Sequence, residues 1–285
     1  MTTSRFLTIG AAICLLAGCN TSTPVTSETK SSAAETAATA PKPEPILPAE
    51  TPIERTANFV SPKTQKTYQI EVVKDDREEV MRALPSGQRD VTSAAGAVAG
   101  DNFRGTSRKA VKLSIANAPL ESFGDVKDLI ATLPAHAAMV NRSPRIPTTA
   151  ASNRVAEEKR NIKLTTFLYA ASREDDNDFH LIVGRARGAS PAVYMTVELG
   201  GLPPANSPAF AKLKSARTAF KSYFGSDLPG SSYTFFNPPI PLEIEGSLFF
   251  DMSHATGSRP GPSALRPKMP VVWEIHPISK MVFEP

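Results

Sequence analysis

Downstream of Asn161 the chain runs through short stretches of strand-like residues, set apart by turn formers and interrupted once by helical spacing. That order constrains the fold more than any other feature of the sequence. Ile162–Ser172 reads as a strand, and Glu174-Asp175-Asp176-Asn177-Asp178 as a hairpin tip. Phe179–Ala186 is a second strand, Gly188–Pro191 a turn and Ala192–Leu199 a third strand. Ser207 and Pro208 have the chemistry of an N-cap and a first helical position. Phe210, Leu213, Ala216, Arg217, Phe220 and Phe224 then recur every three or four residues, and Gly225 closes the run. Leu242–Asp251 and Val271–Phe283 supply two more strands.

The order β-β-β-α-β-β, with the helix between third and fourth strands, is that of the OB-fold, a five-stranded Greek-key barrel. An open α+β sheet of the same order is the alternative. Closure is the more economical arrangement, because a barrel leaves no strand edge unpaired. The expected fold class is therefore mainly β with some α, an OB-like barrel over residues 161–285.

The preceding stretch, 53–160, reads as a partly ordered α+β segment. Thr67–Val73 (TYQIEVV) alternates like a half-buried strand, and Asp75–Leu84 carries the apolar stripe of a short helix ended by Pro85-Ser86-Gly87. Ala110–Ile115 (AVKLSI) is a further strand candidate and Asp125–Leu133 a further helix. Between these, Ser93–Gly105 is small and glycine-rich, as a loop would be.

At the amino terminus, Arg5 supplies a positive charge and Phe6–Leu16 an uncharged run of eleven residues. Such a run is too short to span a bilayer, which takes roughly 20 apolar residues, and reads as a secretory signal peptide over 1–18. Leu16-Ala17-Gly18-Cys19 resembles the lipobox of bacterial lipoproteins at all four positions. The resemblance implies cleavage before Cys19 and acylation of its thiol, hence attachment to a membrane in the cell envelope. Two or more acyl chains hold stably where one does not. Asn20 rather than Asp at the next position favours the outer over the inner membrane of a Gram-negative cell. The two cysteines are Cys14 and Cys19, so the mature protein would have neither a disulfide nor a free thiol. Residues 19–52 are Ser, Thr, Ala, Pro and Glu with few bulky apolar side chains, the composition of a disordered tether. Its random-coil span would be on the order of 30 Å.

Of the four histidines, three lie in the last 125 residues, each close to an acid. They occur in Asp178-Phe179-His180, in Asp251-Met252-Ser253-His254 and in Trp273-Glu274-Ile275-His276-Pro277. The strand period of two places Asp178 with His180 on one face, and Glu274 with His276 on one face, while Trp273 and Ile275 point to the core. Glu243, Glu245 and Asp251 fall opposite Leu242, Ile244, Leu248 and Phe250 in the same way. The segments DNDFHLIVG, FFDMSHATG and WEIHPISKMVF resemble a widespread, poorly characterised bacterial family with D-x-H, F-D-x-x-H and E-[IL]-H-P motifs in that order. The resemblance spans about Lys159–Phe283 and implies an OB-like barrel, without an activity. The Pro-rich insert Gly257–Pro270 departs from its pattern.

Imidazoles and carboxylates are the usual ligands of zinc and similar divalent cations, and a His–carboxylate pair can do acid–base work. A metal-dependent hydrolase would draw on His180, Asp251, His254, Glu274 and His276, and a ligand or metal cluster could include Asp178 as well. No compact H-E-x-x-H pair is present, however, and the simpler reading is that these residues hydrogen-bond and fix strand ends. The leading functional expectation is then an envelope binding module for a protein or glycan partner, with no cofactor required. Single-stranded nucleic acid is a third option for an OB-like barrel. The residues after 160 carry 12 Lys and Arg against 11 Asp and Glu, too weak a basic footprint for that partner, although the whole-chain pI is near 9.0. Glu174, Asp176 and Asp178 alternate as in some calcium loops but lack the EF-hand glycine and terminal Glu, and read as a solvated tip. Lys212, Lys214, Arg217 and Lys221 read as a solvated helix face. Tyr223, Phe224, Tyr233, Phe235 and Phe236 read as packing over a barrel end rather than an exposed platform.

Overall fold

The computed structural model describes residues 45–74, 100–256 and 259–285. Cys19, the helix expected over Asp75–Leu84 and most of the glycine-rich loop lie outside the described residues. The strands are β1 (Ile53–Val60), β2 (Thr67–Val73), β3 (Leu120–Phe123), β4 (Asn161–Arg173), β5 (Phe179–Gly184), β6 (Tyr194–Leu199), β7 (Thr234–Phe250) and β8 (Trp273–Phe283). The helices are α1 (Lys109–Lys112), α2 (Val126–Ala131), α3 (His136–Val140) and α4 (Phe210–Phe224). Among the described residues no helix is long and apolar enough to cross a membrane.

The five strands expected after Asn161 all form, and they close on themselves. β4 pairs with β5, β5 with β6 and β7 with both β8 and β4, all antiparallel, while β6 and β8 run parallel. Closure depends on length: β4 has 13 residues and β7 has 17, enough for each to serve two neighbours of the ring. It also depends on bends. The β4–β5 and β4–β7 registers slip between Leu168 and Ala170, and the β7–β8 register slips on both sides of Gly246. Such bulges add twist and curvature. At Gly246 a Cβ would stand 2.5 Å from Pro277 O and 2.5 Å from Ile275 Cγ2, so glycine is what lets β8 approach there.

Alternation sends Ile162, Leu164, Leu181, Val183, Met195, Val197, Ile244, Trp273 and Ile275 to the main core, all buried. Helix α4 adds Phe220, Tyr223 and Phe224, and Tyr223 stacks on Phe283 with ring centroids 3.9 Å apart. Each fully buried side chain of this size contributes about 1.5–3 kcal/mol by leaving water. The aromatic residues around the Pro/Gly loop are thus core, as expected: Tyr223, Phe224, Tyr233, Phe235 and Phe236 are all buried.

The upstream segment extends the same sheet. β1 pairs with β2, β2 adds to the first residues of β7, and β3 runs parallel to β4, giving the order β1-β2-β7-β8-β6-β5-β4-β3. Asp125 caps α2 by accepting the Lys127 N–H at 2.8 Å, in the helix expected there. Leu47, within the stretch read as tether, is buried with Val73, Tyr169 and Phe235. The Pro-rich insert also packs down, burying Leu265 and Met269 against that same group.

Two local expectations are corrected. Ala110–Ile115 is not a strand; its first residues form α1, preceded by Arg108 in the left-handed region at φ 49°. Alternation in AVKLSI is overridden because Arg108 and Lys112 both turn their charges inward to buried acids. Helix α4 begins at Phe210, and Ser207 does not cap it. Ser207 O instead accepts the Phe210 N–H at 3.0 Å, in a turn that leads into the helix.

Candidate functional site

The outer faces of β5, β6 and β8 carry the polar residues, since their alternates Leu181, Val197 and Ile275 point into the ring. Register then brings the polar side chains together. His180 lies opposite Glu198 across β5–β6, and Thr196 lies level with Glu274 across the parallel β6–β8 pair. Asp178 sits just before β5, where its Oδ1 accepts the Gly201 N–H at 2.5 Å. His276 lies between the acids: Glu198 Oε2 is 2.7 Å and Glu274 Oε2 3.7 Å from its Nδ1, and Asp178 Oδ2 is 3.4 Å from its Nε2.

This face is covered rather than open. Asn102 bridges to Leu202, Phe103 N donates to Leu202 O at 3.0 Å and Arg104 N to Asp176 O at 2.9 Å, which draws residues 101–112 over the cluster. Lys112, carried in on α1, places Nζ 3.6 Å from Asp176 Oδ2 and over the Phe249 ring. The Phe249 ring also tilts against His276, centroids 5.4 Å apart. Arg154 steadies the region by donating to the carbonyls of Val111, Ser114, Leu248 and His276. Burial pulls its guanidinium down to about 10, still cationic at neutral pH.

Spacing paired Asp178 with His180 and Glu274 with His276; strand register brings the two pairs together. Asp251 and His254 instead pair with each other, Asp251 Oδ2 on His254 Nδ1, and Ser253 N donates to Asp251 Oδ1 at 2.9 Å. The reading of these residues as fully hydrogen-bonded strand fasteners holds for some and fails for others. His180 is satisfied by Thr196 Oγ1 at 3.2 Å from Nε2 and the Tyr233 hydroxyl at 3.1 Å from Nδ1. By contrast, both ring nitrogens of His276 and Oδ2 of Asp178 are buried without a well-formed hydrogen bond among the described residues, although Glu198 Oε2 stands 2.7 Å from Nδ1 of His276. Unsatisfied buried polar atoms of this kind are rare and call for a reason.

Glu198, Lys112 and Asp176 complete the cluster, and reading the sequence passed over them as ligands or counter-charges. Glu198 had a signal: it is the only charge in the otherwise uncharged strand YMTVEL. Lys112 had none, because it arrives from a segment whose local pattern suggested a strand. The acidic tip is solvated only in part, with Asp175 exposed and Glu174 and Asp176 half-buried. Asn177 and Asp178 are fully buried, and Glu174, Asp176 and Asp178 diverge to different partners instead of forming a calcium loop. On α4, Lys212 and Lys214 are exposed, but Arg217 is buried and pairs with Asp101 at 3.0 Å.

Crowding sets the electrostatics. Burial pushes Asp178 well above the usual carboxylate range, and Asp176 and Glu198 push it further. Burial, Glu198 and Asp251 do the same to Glu274. Asp176 is raised by burial to about 6 despite Lys112. At Glu198 burial acts upward, but His276, Lys112 and His180 outweigh it and hold the carboxyl below its ordinary value. Burial lowers His276, against the upward pull of Glu198. At Lys112 burial acts downward, and Asp176, Glu198, Asp178 and Asp251 outweigh it and raise the ammonium well above its usual value. Asp178 and Glu274 are thus crowded acids whose ionisation a bound cation would favour.

Two sets of side chains place ligand atoms within 4.8 Å of one another: Asp178, Glu198 and His276, and His180, Glu198 and Glu274. Comparisons with protein-family models, curated proteins and solved structures found no match.

Proposed function

We propose that this chain is an envelope lipoprotein, held by lipid on Cys19, whose five-strand ring is an OB-like barrel that binds a divalent cation through Asp178, Glu198 and His276. The observation that carries the reading is His276: a fully buried imidazole set between the carboxyl groups of Glu198 and Asp178, with neither ring nitrogen in a well-formed hydrogen bond among the described residues. A neutral imidazole and two carboxylates form a donor set suited to zinc and similar first-row ions. Supporting the barrel are the parallel β6–β8 pairing that completes the ring and the position of α4 between β6 and β7. Supporting the location are the lipobox and the apolar run before it.

Residues 101–112 lie over the outer face of β5, β6 and β8, so a protein or glycan partner of such a module would meet that cover and not the acid cluster beneath it. The carboxylates there give single-stranded nucleic acid no electrostatic reason to bind. Elemental analysis of the purified full-length protein tests the reading: about one divalent ion per chain or more supports it. Metal-free protein that takes up none from zinc or manganese buffers overturns it.

A second reading, a metal-dependent hydrolase, has one observation in its favour. Asp251 holds Nδ1 of His254, whose side chain keeps 25% of its exposure, as a carboxylate orients an acid–base imidazole. Burial acts to lower His254, and Asp251 outweighs it, so the imidazole is raised above its ordinary value. Turnover of chromogenic phosphate or acyl esters that needs both the cation and His254 would support this reading. Absence of turnover in metal-loaded protein would leave cation binding alone.

A further inference from the structure

We propose that the cluster is a two-ion centre in which Glu198 bridges one divalent cation, held with Asp178 and His276, to a second, held with His180 and Glu274. The inference rests on the single-cation reading above and goes one ion further. Both ligand sets contain Glu198, whose two oxygens allow it to serve two ions at once. The strand pairing places the second set as well as the first: β5–β6 register puts His180 across from Glu198, and β6–β8 register puts Glu274 beside Thr196, two residues from Glu198.

His276 supplies the independent sign. Its two ring nitrogens, neither in a well-formed hydrogen bond among the described residues, face different acids, Nε2 towards Asp178 and Nδ1 towards Glu198 and Glu274. An ion on one nitrogen leaves the other N–H to a carboxylate, the usual outer-shell partner of a ligating histidine. At His180 the Tyr233 hydroxyl, 3.1 Å from Nδ1, can accept that proton and leave the Nε2 lone pair for a metal, with the Thr196 hydroxyl giving way. Charge points the same way. Asp176, Asp178, Glu198 and Glu274 are all held close by the fold, and among the described residues Lys112 is the one ammonium set against them. Mixed nitrogen and oxygen donors suit zinc, manganese or iron better than calcium or magnesium.

The test uses full-length protein in detergent, stripped with chelator and reloaded with Mn²⁺. Two ions per chain are expected by elemental analysis, with the exchange-coupled multiline electron paramagnetic resonance spectrum of a bridged pair. His180→Ala and Glu274→Gln should each retain one ion and show the uncoupled six-line spectrum, while Glu198→Gln should lose the coupling. The wild-type spectrum needs no variant to fold. One ion per chain, or two without coupling, overturns the bridged pair and leaves the single-cation reading standing. No bound ion overturns both.

Discussion

Arg108 and Glu158 form a two-pronged ion pair with almost no exposed surface, Nη1 to Oε1 at 2.6 Å and Nη2 to Oε2 at 2.7 Å. The carboxylate also accepts the N–H groups of Phe250 at 2.9 Å and Val155 at 3.0 Å, and Arg108 donates to Phe250 O at 3.2 Å. The pair thereby clamps the start of α1 to the end of β7. A buried pair of this kind adds little net stability, but breaking it leaves a bare charge in the interior. Arg108→Ala should cost about 3–5 kcal/mol in denaturant unfolding. Arg108→Met combined with Glu158→Leu should cost markedly less than that single change. A double variant as unstable as the single one would show that the bonds to Phe250 and Val155 dominate.

Glu284 fastens the chain end. It accepts from Thr64 Oγ1 and the Tyr68 hydroxyl at 2.6 Å each, from the Tyr223 hydroxyl at 3.1 Å, and from Ser61. Burial acts to raise its carboxyl, but Ser61, Thr64, Tyr68 and Tyr223 outweigh it and hold it below the usual value. A carboxyl lower in the folded than in the unfolded chain stabilises the fold above the unfolded value, near pH 4.3. That contribution is lost as pH falls through the lowered folded value. Glu284→Gln should therefore be less stable than wild type at neutral pH, and the gap should close on acidification. Thermal unfolding of both proteins from pH 7 to pH 3 checks the sign.

The ring was legible in the sequence because each of its strands carries its own signal: alternation or an apolar run, turn formers at both ends, and one helix at the right place. The added strands were not. β1 (IERTANFV) is exposed along most of its length and so shows no alternation, and β3 has only four residues. Their pairing partners, β2 and β4, decide them. The site was half legible for a similar reason. Asp178 with His180, and Glu274 with His276, stand two residues apart on single strands, so the sequence shows each pair. Glu198 joins them through inter-strand register, and Lys112 through a fold-back of residues 101–112, neither of which a local pattern encodes. Asp251 and His254 also stood out by spacing, yet three residues apart at the end of a strand they find each other first.

Gly246 should tolerate no side chain. A Cβ would press on Pro277 O, a backbone atom that cannot rotate away, and on Ile275 Cγ2 in the core. Relief would require β8 to shift just after His276, so Gly246→Ala should cost about 1–3 kcal/mol, as overpacked sites do. Gly188→Ala, in a loop with open space but a φ of 87°, provides the comparison. If close approach is the cause at Gly246, its substitution should also weaken cation uptake, whereas that of Gly188 should affect stability alone.

Lys112 and a bound cation do overlapping electrostatic work, and their effects should be coupled. Without metal, Lys112 is the ammonium that offsets Asp176, Glu198, Asp178 and Asp251. Lys112→Met removes the charge, and with it the approach of Nζ to the Phe103 and Phe249 rings, while keeping a chain of similar length. In chelator the substitution should cost about 3–5 kcal/mol, the penalty for stranding buried charge. In saturating Zn²⁺ or Mn²⁺ the cost should shrink, because the cation takes over the charge that Lys112 supplied and so binds the variant more tightly than wild type, each protein being stabilised by its own ratio of free ion to Kd. The cation should also stabilise the variant by more degrees than it stabilises wild type, since no ammonium competes for the same carboxylates. Equal metal-induced shifts in the two proteins would place the ion away from the acids that Lys112 faces, and so away from Glu198.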